Sequence, residues 1–589
     1  MTDQQHKDNQ TWSGRFSTIV KYLRHYRGYL VVGAICIVFS NALMMVLPYL
    51  TKLVFDELEQ GGVHTRRLQL VLIMIGLAIL SGAFRFLTRR TVIWMSRWLE
   101  ADLRSDLFGH LLGLSPRFFD NTRTGDLMVR LTSDIEAVRM MIGPGIMHVT
   151  NTIVTFVVAV SFMLYLDPVL TVYALIPMAA IPFVVNRVGN LVHVRAQKVQ
   201  EHFSELTATV QENIAGVRVV KAFRQESAEV EHFGIMSMKY FRVNMDLARV
   251  NALFHPLLLF FASLLVMCVL YFGGREVMQG RMPLGSLVAF FAYLSMLFWP
   301  AIALGWVISL YQRGTASLDR INRILRLRPD IPMDTRHHRG PVSGGINFCG
   351  LSFAYDDRTV LHNVNLTITP GQTVGIIGRT GCGKTTLVSL LAGFYPVTRG
   401  QLQIDGIDIN DWDLGALRRR ISFAPQEPFL FSDTIAQNVR FGAAEATPDD
   451  VERAAVVASL DKDLPDFPDG YQTMVGERGI TLSGGQKQRT TIARAIVTDP
   501  AILVLDDATS AVDTETEAEI NERIKAVLTD RTAIIISHRA SAVKDADLII
   551  SMEAGRIVEQ GSHYELLRNG GYYAELYRSQ LLQQELDRL

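Results

Sequence analysis

The chain has 589 residues, 58 basic side chains against 58 acidic ones, 49% hydrophobic residues and a mean hydropathy of +0.19. Such a length calls for two or more folded units, the hydropathy is high for a soluble protein of this size, and zero net charge gives no support for a nucleic-acid partner. The four cysteines, Cys36, Cys268, Cys349 and Cys382, lack metal-site or disulfide-framework spacing and read as reduced thiols.

Residues 1–28 are polar, without the apolar core and cleavage site of a signal peptide, and are expected to be a cytoplasmic segment. A helix needs about 20 mostly apolar residues to cross a bilayer. Six stretches qualify, at 29–50, 68–87, 146–166, 168–185, 254–272 and 284–310, within a transmembrane domain spanning 29–327. The third and fourth meet at Asp167-Pro168 and predict a tight helical hairpin. Basic residues concentrate before the first stretch (Lys21, Arg24, Arg27) and in the connections 88–145 and 186–253, whereas the other connections are short and hold few. The positive-inside rule therefore places both termini and both long connections in the cytoplasm, as in a multi-pass protein of a bacterial inner membrane.

Both long connections keep helical periodicity with mixed charge, so they are expected to prolong the membrane helices into the cytoplasm. Each is broken in its middle, at Leu114-Ser115-Pro116 before Arg117-Phe118-Phe119, and at 212–216, which reads Glu-Asn-Ile-Ala-Gly. A helix that runs out, turns and returns presents a short transverse tip that could press on another domain; a plain solvated hairpin is the alternative.

A polar linker, 328–345, holds Pro329, Pro332, Pro341, His337 and His338 and reads as a hinge with surface histidines. Beyond it, strand-like 373–377 runs into Gly378, Arg379, Thr380, Gly381, Cys382, Gly383, Lys384, Thr385 and Thr386, which satisfies G-x-x-x-x-G-K-[ST] between a strand and a helix. Glycines let backbone N–H groups turn inward around phosphate oxygens, and the helix adds its positive end. Lys384 can reach terminal phosphates, and the Thr385 hydroxyl can hold Mg²⁺. A second apolar strand, 501–505, delivers Asp506 and Asp507 at its carboxyl end, where a magnesium ligand belongs in an open α/β sheet. Between these motifs lie Leu482, Ser483, Gly484, Gly485 and Gln486, followed by a helix-like run.

This order of motifs resembles the ATP-binding-cassette proteins over 346–582, leaving a short tail at 583–589, and the whole chain is similar to their exporter half-transporters. The resemblance implies an α-helical six-span transmembrane domain with long cytoplasmic extensions. An α/β P-loop cassette follows, with an antiparallel β subdomain and a helical subdomain. It implies ATP and Mg²⁺ as ligands, with Tyr355 stacking on adenine and Thr385, Gln426 and Asp506 around the metal. Asp507, Gln426 and His538 take the catalytic positions, and Gln426 also couples nucleotide to the membrane domain. Leu482 through Gln486 become the signature that binds ATP held on a partner, Ser510 and Asp513 belong to a cross-subunit loop, and 477–479 (Glu-Arg-Gly) touches the transverse tips. Those tips become coupling helices.

One position departs from the family pattern. Glu ordinarily follows the metal-binding Asp and positions the attacking water, and here the residue is Asp507. Losing a methylene draws the carboxylate back by about 1 Å, a displacement that can cost on the order of 100-fold in rate. The intact signature beside a shortened base points to a heterodimer: a second half-transporter carrying the Glu would use this chain's signature. A homodimer with two equal sites, or an exporter fold used for import or regulation, is the alternative. Cys382 reads as a small filler of the loop, or as a thiol whose alkylation blocks nucleotide entry. The expected cargo is a small hydrophobic or amphipathic drug or lipid. Asn41, Met44, Met45, His255, Tyr293, Trp299 and Trp306 are candidate cavity residues that helix packing explains equally well.

Overall fold

The computed structural model describes residues 12–60, 64–331, 338–476, 479, 481–527 and 530–587. The chain divides into two compact units, one of residues 1–113 and 123–327, the other of residues 114–122 and 328–589.

In the first unit a short helix α1 (Trp12–His25) precedes α2 (Arg27–Glu59), α3 (His64–Leu112), α5 (Thr124–Leu166), α6 (Pro168–Ala215), α8 (Glu226–Met278) and α9 (Leu284–Leu325). All but α1 are long and apolar enough to cross a bilayer, and they contain the six expected stretches. The α5–α6 hairpin is tight because Pro168 opens α6 and the Asp167 carboxylate accepts from the Leu170 N–H at 2.9 Å. Pro48, Pro256 and Pro300 lie inside α2, α8 and α9, as membrane helices tolerate.

Lipid tails are as apolar as leucine, so polar contacts and close packing hold such helices together. Asn41 Nδ2 donates to the Ile37 carbonyl at 2.8 Å and to Asn151 Oδ1 at 2.9 Å, while Thr155 Oγ1 donates to Asn41 Oδ1 at 3.0 Å. The Tyr293 hydroxyl donates to the Met45 carbonyl at 2.8 Å. Asn41, Met45 and Tyr293 are buried in this packing, in line with the helix-packing alternative for these residues. Met44 is half-buried and Trp306 is exposed beside His148. Trp299 is 68% exposed, and the side chain of His255 lies outside the described ones. Nearer the ends of the long helices, buried Asp134 accepts from Ser317 at 3.0 Å and Arg320 Nε at 2.9 Å. Glu100 is held by Arg97 at 2.9 Å and Arg104 at 2.8 Å. These acids are buried only because they are paired.

The two breaks behave differently. After Ser115, Pro116 opens a one-turn helix α4 (Pro116–Asp120). At the second break α6 continues through Ala215, with the Gly216 N–H donating to the Glu212 carbonyl at 2.7 Å, and the short helix is α7 (Val217–Ala222). The turn therefore falls at Gly216, the last residue of the expected break 212–216.

The second unit is an α/β cassette. An antiparallel sheet, ordered β2-β1-β4-β5, comprises β1 (Ile346–Tyr355), β2 (Arg358–Ile368), β4 (Leu402–Ile404) and β5 (Ile407–Asp408). A six-stranded sheet, ordered β10-β9-β3-β8-β7-β6, is built from β3 (Thr373–Gly378), β6 (Ile421–Ala424), β7 (Ile502–Asp506), β8 (Thr532–Ser537), β9 (Leu548–Glu553) and β10 (Arg556–Gly561). All its pairings are parallel except β9–β10. Central strands buried on both faces read as continuous apolar runs, as Ile502 to Leu505 and Ala533 to Ile536 do. The described part of the linker's second half is anchored to the cassette. Val342 is buried, and His338 packs its ring on Trp412 at 4.4 Å while its N–H donates to the Asp411 carbonyl. His337 lies outside the described residues.

Candidate functional site

In parallel strands the carboxyl ends emerge along one edge of the sheet, the place where open α/β folds bind ligands. Ile377 of β3 pairs with Ser537 of β8, and Asp506 of β7 pairs with Ile536. This register sets the loop after Gly378, the pair Asp506 and Asp507, and His538 along that edge. Each lies on a different segment of sequence, and strand pairing alone makes them neighbours.

The loop after β3 closes on helix α10 (Lys384–Leu391). Gly381 and Gly383 have φ of +83° and +103°, which side-chain-bearing residues rarely adopt, so the loop can curl its N–H groups inward. Arg379, Thr380, Gly381 and Thr385 are exposed, while Lys384 is 7% exposed. The Lys384 ammonium donates to the Gly378 carbonyl at 2.7 Å and the Arg379 carbonyl at 3.2 Å, so it is folded into its own loop. Cys382 is buried with Sγ 3.9 Å from that ammonium. Thr386 receives a long hydrogen bond from the Tyr355 hydroxyl at 3.4 Å. The Tyr355 ring packs edge-on against Tyr395 at 5.1 Å and Phe353 at 4.9 Å.

Asp506 is 1% exposed, and neither carboxylate oxygen has a hydrogen-bond partner. Burial is the main force raising its pKa; nearby Thr385 and Lys384 oppose that shift and Asp507 reinforces it. An unsatisfied buried carboxylate is costly. With Thr385 alongside, this oxygen-donor set suits a hard divalent cation such as Mg²⁺.

Asp507 adopts φ +46°, a left-handed conformation in which Asp and Asn are the residues least penalised after Gly. Its Oδ1 accepts from the His538 N–H at 3.2 Å and lies 2.9 Å from His538 Nδ1. The shortened acid is thus drawn onto the histidine. Gln426 stands exposed just past β6.

The run from Leu482 to Gln486 opens helix α11 (Gly484–Ile496). Ser483 and Gln486 form a reciprocal capping box, and Leu482 is buried beneath it. A Cβ on Gly485 would lie 3.2 Å from the Ala511 carbonyl, so that glycine permits the following loop to approach. Gln488, which the sequence reading missed, locks that loop: Nε2 donates to Ser510 Oγ and Oε1 accepts from the Ala511 N–H, both at 2.8 Å. Asp513 caps α12 (Thr514–Val527) by accepting from Thr516 N–H at 2.9 Å, which lowers its pKa. Among the described residues no hydrogen bond joins the run 482–486 to the phosphate loop. Glu477 and Arg478 lie outside the described residues.

Helix α4 also belongs to this unit. Arg117 Nη2 donates to Asp356 Oδ1 at 2.5 Å, Ser115 to Asp330 at 2.7 Å, and the Tyr395 hydroxyl to Asp120 Oδ2 at 2.7 Å. Tyr395 therefore touches both Asp120 and the Tyr355 ring.

Six membrane helices joined to a strand–loop–helix that cradles phosphate describe a membrane-embedded P-loop ATPase. Comparison with known proteins narrows the class. Residues 30–301 match the ABC transporter transmembrane region and residues 361–510 match the ABC transporter domain. A probable multidrug resistance ABC transporter ATP-binding/permease protein, YheI of Bacillus subtilis, is 37% identical over 96% of this chain and 98% of its own length. The multidrug resistance-like protein MdlA of Escherichia coli is 34% identical over 96% of each chain. An ATP-dependent lipid A-core flippase of Syntrophus aciditrophicus is 33% identical over 96% of this chain and 94% of its own. The solved structure of a bacterial Atm1-family ABC exporter with ATP bound superposes with a TM-score of 0.78 at 29% identity, covering 95% of this chain and 99% of that one. The chain belongs to the ABC transporter family. It is a multi-pass membrane half-transporter of the multidrug and lipid exporter type, which couples ATP hydrolysis to transport.

Proposed function

We propose that this chain works as one half of a heterodimeric exporter of hydrophobic or amphipathic compounds, with a slow ATP site at its own phosphate loop. The observation carrying this reading is Asp507, shortened relative to the family's Glu and bonded to His538. In the proposed site, the N–H groups of 379–386 bind the phosphates, Lys384 releases its loop carbonyls to meet the terminal ones, and Tyr355 stacks on the adenine. Thr385, Asp506 and Gln426 would hold Mg²⁺, which neutralises charge gathering on the phosphates. His538 senses the terminal phosphate. Asp507, held back on that histidine, orients the attacking water poorly.

Leu482, Ser483, Gly484, Gly485 and Gln486, with Ser510 and Asp513, complete a second site on a partner that carries the Glu. Exposed Ser483 and Gly484 at the self-capped start of α11 support this division, because among the described residues no hydrogen bond ties them to this chain's own phosphate loop. Helix α7 supports a partner as well: Val219 is 61% and Phe223 72% exposed around it, an apolar surface that a second subunit would cover. The basic connections favour a cytoplasmic cassette. ATP shifts the transporter because it binds the closed pair of cassettes more tightly than the open one.

Purified alone in lipid nanodiscs, the chain is expected to bind ATP yet hydrolyse it on the order of 100-fold more slowly than when mixed with a Glu-bearing partner. Fast Mg²⁺-dependent turnover by the lone chain would overturn the heterodimer.

A further inference from the structure

Beneath α1 the first unit has an apolar cleft of about 500 Å³ that is not part of the ATP site. Its walls include Ile19 and Leu23 of α1, Ile146, Val149 and Thr150 of α5, and Val307 of α9. Phe16 closes one side by stacking on Tyr311 at 6.4 Å. Ile146 and Val149 open the apolar stretch of α5, and Val307 lies near the end of that of α9. The cleft therefore sits where the spans leave the bilayer, with α1 along the membrane surface as its roof.

Charge distinguishes the occupant. The acids of α3 that face α1 are already engaged: Tyr26 donates to Asp102 at 2.7 Å, Tyr22 donates to Asp106 at 2.5 Å, and Lys21 lies 3.9 Å from Asp106. Arg24 and Arg27 are exposed and, among the described residues, have no ion-pair partner. Leu23 lines the slot, and Arg24 and Arg27 follow it within about one helical turn of chain. An apolar slot with two uncommitted guanidinium groups on the adjoining segment matches an amphiphile with one buried tail and an anionic head. At roughly 30 Å³ per water-sized group, the slot has room for roughly 17 such groups, about one acyl chain.

We propose that this cleft is a binding site for an anionic phospholipid, one acyl chain lying between α1, α5 and α9 and its phosphate held by Arg24 and Arg27. The proposal rests on α1 lying at the membrane surface, not on the ATP site or the identity of the cargo. Tail burial gives no selectivity, because the chain only exchanges one apolar surrounding for another; headgroup choice comes from the arginines. Each is worth on the order of fivefold in preference for an anionic headgroup.

The test uses the full-length assembled protein in nanodiscs, with lipids brominated along one acyl chain and either a phosphatidylglycerol or a phosphatidylcholine head. Val149→Trp and Val307→Trp report from opposite walls, each read as a fluorescence difference from the parent chain. Val157→Trp, at a position on α5 that is 57% exposed, reports bulk lipid. Brominated phosphatidylglycerol at low mole fraction is expected to quench both cleft reporters severalfold more than brominated phosphatidylcholine does. The Val157→Trp reporter is expected to show no such preference, and Arg24→Gln with Arg27→Gln to abolish it in the cleft. Equal quenching by both lipids in the cleft would overturn the headgroup assignment. No quenching of either cleft reporter would mean that a partner subunit or residues 1–11 fill the slot, and would overturn the site. No ATP is needed, so either negative result leaves the exporter reading standing.

Discussion

Two glycine-rich helix starts in the cassette share a chemistry and end in opposite states. At α10 the loop is closed around its own lysine, and a buried, unsatisfied carboxylate waits at the end of β7, two strands away in the sheet. At α11 the helix end caps itself through Ser483 and Gln486, and Ser483 and Gly484 face outward. On the proposed reading, one is a site for a ligand within the chain and the other a surface for a ligand held on a partner. Anion binding at a helix N-terminus needs only free N–H groups and the positive end of the dipole. The neighbours decide whose anion it is.

The comparison breaks first at Lys384. Lys384→Ala removes the one buried cation of the phosphate loop, and turnover at this chain's own site is expected to fall by a further 10²–10³-fold or so. Binding of a fluorescent ATP analogue to the lone chain should be lost with it. Retained binding would mean that backbone N–H groups alone hold the phosphates.

Asp507→Glu is the next largest effect, and of opposite sign. Lengthening the acid is expected to raise the lone chain's hydrolysis by up to about 100-fold. The left-handed backbone at 507 tolerates Glu less well than Asp, so the gain will fall short of that limit. Unchanged turnover would move the defect away from this carboxylate and leave the chain a slow homodimer.

Much of this was legible in the residues. Runs of about 20 apolar residues announce membrane helices with little competition, and the phosphate loop is tied to its strand and helix by local spacing. What escaped depends on contacts between distant segments. Asp507 and His538 are 31 positions apart, and their bond exists because β7 and β8 pair in one register. Tyr395 meets Asp120 across 275 positions. Asn41 and Tyr293 looked like cavity linings because polarity in a span is conspicuous, yet helix partners satisfy both. The second break falls within the expected 212–216, and only the ladder of hydrogen bonds running through Ala215 shows that Gly216 is the residue that makes it. His338, polar and next to proline-rich sequence, gave no sign that it docks on Trp412.

Ser483→Ala separates the two helix starts more finely. Losing an N-cap costs about 1 kcal/mol of stability, visible as a small fall in the cassette's unfolding midpoint. On the proposal that the run 482–486 serves a partner's loop, ATP binding to the lone chain should be unchanged, while hydrolysis at the partner's site should drop. A loss of binding in the lone chain would erase the distinction between the two ends.

The smallest effect is expected at Arg117. Its pair with Asp356 is solvent-exposed on both sides, and such pairs contribute about 0–1 kcal/mol. Asp356 follows Tyr355, so the pair fixes α4 beside the ring proposed to hold adenine. Arg117→Ala should therefore leave cassette stability almost unchanged. It should lower the amount of substrate moved per ATP consumed, measured in inverted vesicles containing the assembled transporter. Asp356→Asn should do the same, and the double variant should be no worse than either single one, because the two changes remove the same contact. Additive losses would show that the residues act separately, and that the tip is held by Tyr395 and Asp120 instead.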